Sequence, residues 1–447
     1  MEGDVTEAST IDRETAASEP SPPPTVPFPK LAQGIAFVAS RRWTTRQLAK
    51  QYGKIYTINI PKYGRTVIVG DPDLARQVFS TSTEALGNIQ PNLSQVLGSG
   101  SVFGLERKEH RHRRKLLAPK FHGKAMVQYE QIIEEETLRE CASWPEGQQF
   151  EIMEPMMRIT LNAILRAVFG ADGAELDQLR KLIPPWVVLA SAVTRFPQPK
   201  RIYGRFSPWG QLETKRKHYD KVINVLIDRA LAATDFEDRT DILALLLRST
   251  YDDGTSMSRS DVGDELLTLL AAGHETTATT LAWALERISR HPRILTRLVE
   301  EAQTEHNEYR QATILEVQRS RPVIDFAGRH VFAPYVDIGD YRIPHGWTVL
   351  VSVSLMQDDP TAFPDPERFD PDRFADTKPG NSWVPYGGGT RRCVGAAFAN
   401  MEMDVVLRTI LRHFTIETTN APDEKWHSRG VASCPKDNGL ATVYRRT

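Results

Sequence analysis

Apolar and polar residues alternate at Tyr56 to Ile60 and again at Thr66 to Val69, and Pro61-Lys62-Tyr63-Gly64-Arg65 joins the two runs. This pattern predicts a β-hairpin. Asp71-Pro72 follows, an aspartate cap with proline at the first helical position, and opens a short helix. From about residue 105 to 300 the apolar spacing is helical. Its longest stretch starts at Ser258, with Asp261 completing a capping box, and stops at Arg290 before His291-Pro292. At ~1.5 Å per residue it is about 50 Å long, enough to cross a large domain. A further strand is expected at Thr348 to Ser354. Many helices and few strands predict a mainly α fold with a small β region. The middle of the long helix breaks its own pattern: Ala271-Ala272-Gly273-His274-Glu275-Thr276-Thr277 sets small and polar residues in an apolar helix. Gly273 alone costs about 1 kcal/mol relative to alanine. Such local violations are expected at functional sites.

A length of 447 residues allows two or three domains. No linker rich in Gly, Ser or Pro interrupts the middle, and no repeat is present, so a single large domain over 29–447 is expected. Residues 1–28 form an acidic, then Pro-rich, extension whose composition predicts disorder. It lacks the basic start and apolar core of a signal peptide. The run Leu31 to Ser40 is too short to span a bilayer, which takes about 20 residues. A soluble, cytoplasmic protein without a membrane span is expected. The net charge of −1 argues against nucleic acid as a partner. Cys141, Cys393 and Cys434 are too widely spaced for a disulfide framework and suit a reducing compartment.

Residues 386–395 read Tyr-Gly-Gly-Gly-Thr-Arg-Arg-Cys-Val-Gly, followed by a helical pattern from Ala396. Glycine there permits close approach of backbone to a flat cofactor, and a helix N-terminus favours a thiolate at Cys393. The segment resembles the haem-ligand loop of the cytochrome P450 family, Phe-Gly-x-Gly-x-Arg-x-Cys-x-Gly, at every specified position except Tyr386. The resemblance runs from about residue 30 to the end and is nearest to actinobacterial, especially mycobacterial, members. It implies the family fold, haem b as cofactor, Cys393 as axial ligand of the iron, and Tyr386 and Gly387 in the cofactor-binding loop.

The same resemblance assigns further residues. Ala272, Gly273, Glu275 and Thr276 match the family's distal-helix pattern, which implies room for dioxygen at Gly273, a hydroxyl at Thr276 and a proton-relaying carboxylate at Glu275. His110, Arg114, Arg329 and Arg391 match positions that bind the haem propionates. Glu316 and Arg319 share a helix face and match the family's Glu-x-x-Arg; of the two Pro-x-Arg-Phe candidates, Arg368 and Arg373, spacing from Cys393 favours Arg373 as their third, structural partner. Gln357 replaces a histidine common in the family, and His274 sits between Gly273 and Glu275. The basic segment Arg107 to Lys124 carries eight basic residues and one acid, and is expected to dock an acidic electron donor, with Arg113 and Lys120 among its charges. The implied activity is oxygen insertion from O2 into a hydrophobic small molecule. No reductase domain being appended, electrons are expected from a ferredoxin and its NAD(P)H-dependent reductase. The lid is expected from Leu86 to Phe103, Ile183 to Leu189 and Phe196 to Trp209. Two alternatives stay open: a peroxide-using or rearranging enzyme of the same fold, and a non-catalytic haem-binding or sensing protein.

Overall fold

The computed structural model describes residues 20–446, apart from 91, 122, 124, 171–172, 195–198 and 200–203. The expected hairpin forms: Ile55–Ile60 pairs antiparallel with Gly64–Val69. The second strand continues into a five-stranded sheet by parallel pairing with Thr348–Ser352, which then pairs with Phe326–Val331, and that strand with Leu86–Asn88. Chain segments almost three hundred residues apart therefore share one sheet. Asp71 caps the helix Pro72–Ser80 by accepting from the Asp73 and Leu74 N–H groups.

The larger body is helical. A central helix, Arg259–Ser289, has nearly every residue buried and packs most extensively against Met153–Phe169. Ser258 caps it by accepting from the Asp261 N–H at 3.1 Å. The reciprocal bond of a capping box is replaced by an ion pair from Asp261 to Arg113 at 3.7 Å. Around the central helix lie the basic helix Arg107–Leu117, the helix Glu308–Ser320 and the last helix Ala396–His413. One continuous apolar core joins them, and a separate cluster fills the space between the sheet and Pro72–Ser80.

Residues 20–28 do not behave as the extension that composition suggests. Val26 is buried; its N–H donates to the Thr57 carbonyl at 2.9 Å, and the Thr57 N–H donates to Pro24 at 2.7 Å. The prolines lay an extended strand along the hairpin edge, where a missing N–H costs nothing. Residues 1–19 lie outside the described residues, as does part of the expected lid between Phe196 and Trp209.

Candidate active site

The loop before the last helix is held open by three glycines with different duties. Gly387 and Gly389 have φ of 64° and 66°, in the left-handed region. A Cβ on Gly388 would strike the Phe79 ring, and one on Gly389 the Phe79 carbonyl. These two glycines thus admit the end of helix Pro72–Ser80, a neighbour that the sequence pattern did not suggest. Gly395 has open space where its Cβ would be. The Cys393 N–H donates to the Tyr386 carbonyl at 3.0 Å, closing the loop. Cys393 is exposed, yet enough protein surrounds it that desolvation pushes its thiol up, against the Gly395 N–H, Arg114 and Arg392, which pull it down.

Cations gather beside this sulfur. Arg329 lies buried in the strand next to the loop and donates to the Gly388 carbonyl at 2.9 Å. Arg391 donates to the Leu105 carbonyl and to Glu106 at 2.7 and 2.6 Å. Arg114 and His110 reach in from the basic helix. His110 is 3 % exposed, and its Nδ1 has no hydrogen-bond partner. Desolvation, then Arg391, Arg114 and Arg329, push it down to about 3, so it is neutral. Burial and Arg391 also depress Arg329, to about 10. The structure brings all four expected residues together, with Glu106 as counter-ion. Such a cluster is short of negative charge and suits an anionic group.

The central helix opens at one place. Ala272 is exposed and Ala271, Gly273 and Thr276 are half-buried, within a helix that is otherwise buried from Val262 onward. A Cβ at Gly273 would meet Ile164 no closer than 3.5 Å, so neighbouring protein does not require glycine there. Thr276 Oγ1 donates to the Ala272 carbonyl at 2.8 Å. Glu275 is buried, and its carboxyl is pushed up by desolvation and drawn down by Arg429 of the Trp426–Arg429 hairpin. His274 is fully buried, with Nδ1 held by the Leu270 carbonyl at 2.8 Å and Nε2 without a partner. Burial drives it down to about 4. Two cavities, about 350 and 320 Å³, are lined by residues of neither this helix nor the Cys393 loop; the site is defined by its side chains.

The sequence profile of the Cytochrome P450 family matches residues 20–441. The chain belongs to this family. Among its relatives, cytochrome P450 138 of Mycobacterium tuberculosis is 60 % identical over 439 residues, 97 % of this chain and all of that one. Cytochrome P450 135B1 of the same species is 36 % identical, covering 92 % of this chain and 89 % of its own. Two solved structures share the fold. The retinoic acid-bound cyanobacterial CYP120A1 has a TM-score of 0.83 at 22 % identity, covering 96 % of this chain and all of that one. The cytochrome P450DA heme domain has a TM-score of 0.81 at 21 % identity, covering 96 % and 98 %.

P450 enzymes are haem-thiolate monooxygenases that carry haem b, and this site fits the group. One exposed sulfur, three guanidinium groups with an orphaned imidazole nitrogen, and a bare helix face would supply ligand, propionate partners and distal space. Behind the loop, Glu316 and Arg319 form a fully buried pair at 2.7 and 2.8 Å. Arg373 approaches Glu316 at 3.8 Å, whereas Arg368 is exposed and pairs with Asp370. Three residues of this P450 acquire partners that sequence alone did not supply. The Tyr386 hydroxyl donates to Asn400 Oδ1 at 2.6 Å and accepts from Gln318 Nε2 at 2.7 Å, so it is engaged away from the sulfur. Gln357, fully buried, donates to the carbonyls of Gln318 and Arg319 at 2.9 and 3.0 Å and accepts from the Val384 N–H at 3.0 Å. Arg113 is not a surface charge: it is 2 % exposed and bonds Glu265 at 2.9 Å, Tyr251 at 3.0 Å and the Gly100 carbonyl. The acid that would have betrayed this pairing, Glu265, lies over 150 residues away. Elsewhere on the basic helix, Arg107 pairs with Glu84 and Lys115 with Asp252, which narrows the exposed positive surface.

Proposed function

We propose that this P450 inserts one atom of dioxygen into a hydrophobic small molecule, with electrons from a separate ferredoxin and its NAD(P)H-dependent reductase. The observation that carries the reading is the half-exposed Thr276 hydroxyl on the bare face of the central helix. When bound, the haem supplies dioxygen binding and activation, and thiolate ligation favours O–O cleavage. The chain supplies the rest. Cys393 at the start of the last helix receives the Gly395 N–H, which favours its thiolate. Arg114, Arg329, Arg391 and His110 hold the carboxylates of the cofactor. Glu316, Arg319 and Arg373 brace the loop, and Tyr386 and Gly387 shape it.

Thr276 Oγ1 commits its hydrogen to the Ala272 carbonyl, leaving its lone pairs to hold a water molecule. Release of that bond lets the same oxygen donate. Glu275, kept protonated longer by burial, holds a proton on the Arg429 side and passes it around the helix through water. Gly273 keeps the face low. The expected lid segments, Leu86 to Phe103 and Ile183 to Leu189, contribute apolar residues and exclude water over a hydrophobic substrate. Donor docking falls to Lys108, Arg111 and Arg392, which are exposed, and not to Arg113. The buried free thiols Cys141 and Cys434 suit a cytoplasmic setting.

The test is Thr276→Ala in a reconstituted ferredoxin system. The variant should keep the carbon-monoxide spectrum of a thiolate-ligated haem while NAD(P)H consumption diverts from product to hydrogen peroxide. Wild-type enzyme that oxidises nothing with any donor, but turns over with added peroxide, would transfer the reading to a peroxide-using enzyme of the same fold.

A further inference from the structure

A buried carboxyl holds one of the expected lid segments against the central helix. Glu265 of helix Arg259–Ser289 is fully buried. Its Oε2 accepts from the Val102 N–H at 3.0 Å and from Arg113 Nη1 at 2.9 Å. Arg113 also donates to the Gly100 carbonyl. One residue away, Asp264 accepts from the Gly100 N–H at 2.8 Å and from Arg216 of helix Pro208–Ala232. Arg216 donates in turn to the Leu97 carbonyl at 3.1 Å, and Thr268 Oγ1 to Ser101 Oγ at 2.7 Å. The loop lies so close that a Cβ on Gly98 would strike Asp264 and one on Gly100 would strike Asp261. Residues 97–103 carry no charge of their own and are held by the charges of three helices.

Those charges do not balance. Four carboxylates, Asp220, Asp261, Asp264 and Glu265, pair with two guanidinium groups, Arg113 and Arg216, and with no other cation among the described residues. Asp220 and Asp261 reach solvent, and Asp264 has a donor on each oxygen. Glu265 has neither advantage: its Oε1 is buried without a hydrogen-bond partner. A buried carboxylate is costly unless its oxygens are bonded, so of the four this is where a proton settles. The other titratable neighbours are phenols and one imidazole. The Tyr251 hydroxyl accepts from Arg113 Nε at 3.0 Å, His112 lies beside the Tyr251 ring, and the Tyr219 hydroxyl donates to the Gly263 carbonyl. The Lys115–Asp252 pair beyond them is exposed. Desolvation, opposed by Arg113 and the Val102 N–H and aided by Asp264, pushes Glu265 up to about 7. The folded chain thus takes up this proton well above the ordinary carboxyl value of 4.5.

We propose, resting on the reading of Leu86 to Phe103 as a lid, that Glu265 is a proton-operated clasp on residues 97–103. Ionised, it holds the loop closed; protonated, it lets the loop open and admit ligands to the haem pocket. The ionised form binds Arg113 through a charge-assisted hydrogen bond, roughly twice as strong as a neutral one. Protonation weakens that bond, and Arg113 turns toward Asp261, 3.7 Å away, loosening its hold on the Gly100 carbonyl.

Amide hydrogen exchange of the haem-loaded full chain reads the clasp directly. After correction for intrinsic rates, protection across residues 97–103 should fall about tenfold as pH drops through about 7. Protection of helix Met153–Phe169 should stay level. Glu265→Gln, neutral throughout, should show low protection at every pH and no transition, with the carbon-monoxide spectrum as a control for folding. Asp264→Asn removes a neighbouring negative charge and should move the transition to lower pH. Entry of phenyltriazole, an uncharged nitrogen ligand, to the ferric haem should quicken over the same range in the wild type. Infrared difference spectra of the wild type need no variant, and should show the band of a protonated carboxyl disappearing as pH rises. Protection independent of pH, a transition that survives in Glu265→Gln, or no such infrared band would overturn the clasp and leave the haem site untouched. A transition in protection without any change in triazole entry would instead overturn the reading of this loop as a lid.

Discussion

Replacing Gln357 by leucine, close in volume, isolates a buried side chain that ties helix Glu308–Ser320 to the approach of the Cys393 loop. Gln357 is fully buried and makes three bonds to main-chain groups. Two of these satisfy carbonyls in the last turn of the helix, which have no intrahelical donor. The third receives the Val384 N–H, two residues before Tyr386. Leucine strands all three groups. At about 1–3 kcal/mol per stranded group, and with partial relaxation of the loop, the expected loss is about 3–5 kcal/mol. Histidine at this position keeps one donor and one acceptor, so Gln357→His should lose about 1–2 kcal/mol. Equilibrium urea unfolding of the haem-loaded protein, followed by the Soret band and by circular dichroism, measures the loss. Transfer of haem to excess apomyoglobin should be faster in the leucine variant, because the loosened segment leads directly to the ligand. A leucine variant within about 1 kcal/mol of wild type, or equal to the histidine variant, would refute the reasoning, since stranded main-chain groups cannot be so cheap.

Gly388→Ala should impair haem incorporation by meeting the Phe79 ring, and Phe79→Leu should restore much of it. The same rescue should fail for Gly389→Ala, which meets the Phe79 carbonyl and has a φ of 66°; haem content per chain decides. Tyr386→Phe should leave the reduction potential and the carbon-monoxide band unmoved, because Gln318 and Asn400 still bond each other at 3.1 Å and the hydroxyl never served the sulfur; a shifted band would contradict this. Burial holds His274 at about 4, below its ordinary 6.5. The folded chain therefore keeps it neutral where the unfolded chain protonates it. Its contribution is complete above pH 6.5 and is lost as pH falls from 6.5 toward 4, about 2 kcal/mol by pH 5. Unfolding curves at both ends of that window should converge for His274→Gln.

What could be read from the chain followed from how local each signal is. The Asp71 cap, the hairpin and the Ser258 start depend on neighbours in sequence and stand where the spacing put them. Cys393, His110, Arg114, Arg329 and Arg391 could be found because they match a pattern held in register by a common fold, and the structure does gather them. Arg113 was misread because exposure is not local: nothing in Arg107 to Lys124 tells which of its charges meets Glu265 on the central helix. Gln357, Gln318 and Asn400 were illegible for a related reason. Each satisfies main-chain or side-chain groups 14 to 68 residues away, and polar side chains at such separations leave no periodicity. The glycines were legible as necessary, but their obstacle, Phe79, was not.

The absence of acids from residues 20–70 constrains the order in which the chain can come together. Arg41 finds its carboxylate at Asp325, 284 residues later, and the hairpin finds its next strand at Thr348–Ser352. At synthesis rates of about 5–20 residues per second, the interval is roughly 15 to 60 s. During that time the hairpin has an unsatisfied strand edge and arginines without counter-ions. Residues 20–70, made before these partners, are thus among the last to acquire them. A chaperone that binds extended, basic and apolar chain would find its substrate there, and removal of residues from Asp325 onward should leave these residues without structure, whereas helix Arg259–Ser289 keeps its most extensive packing, against Met153–Phe169.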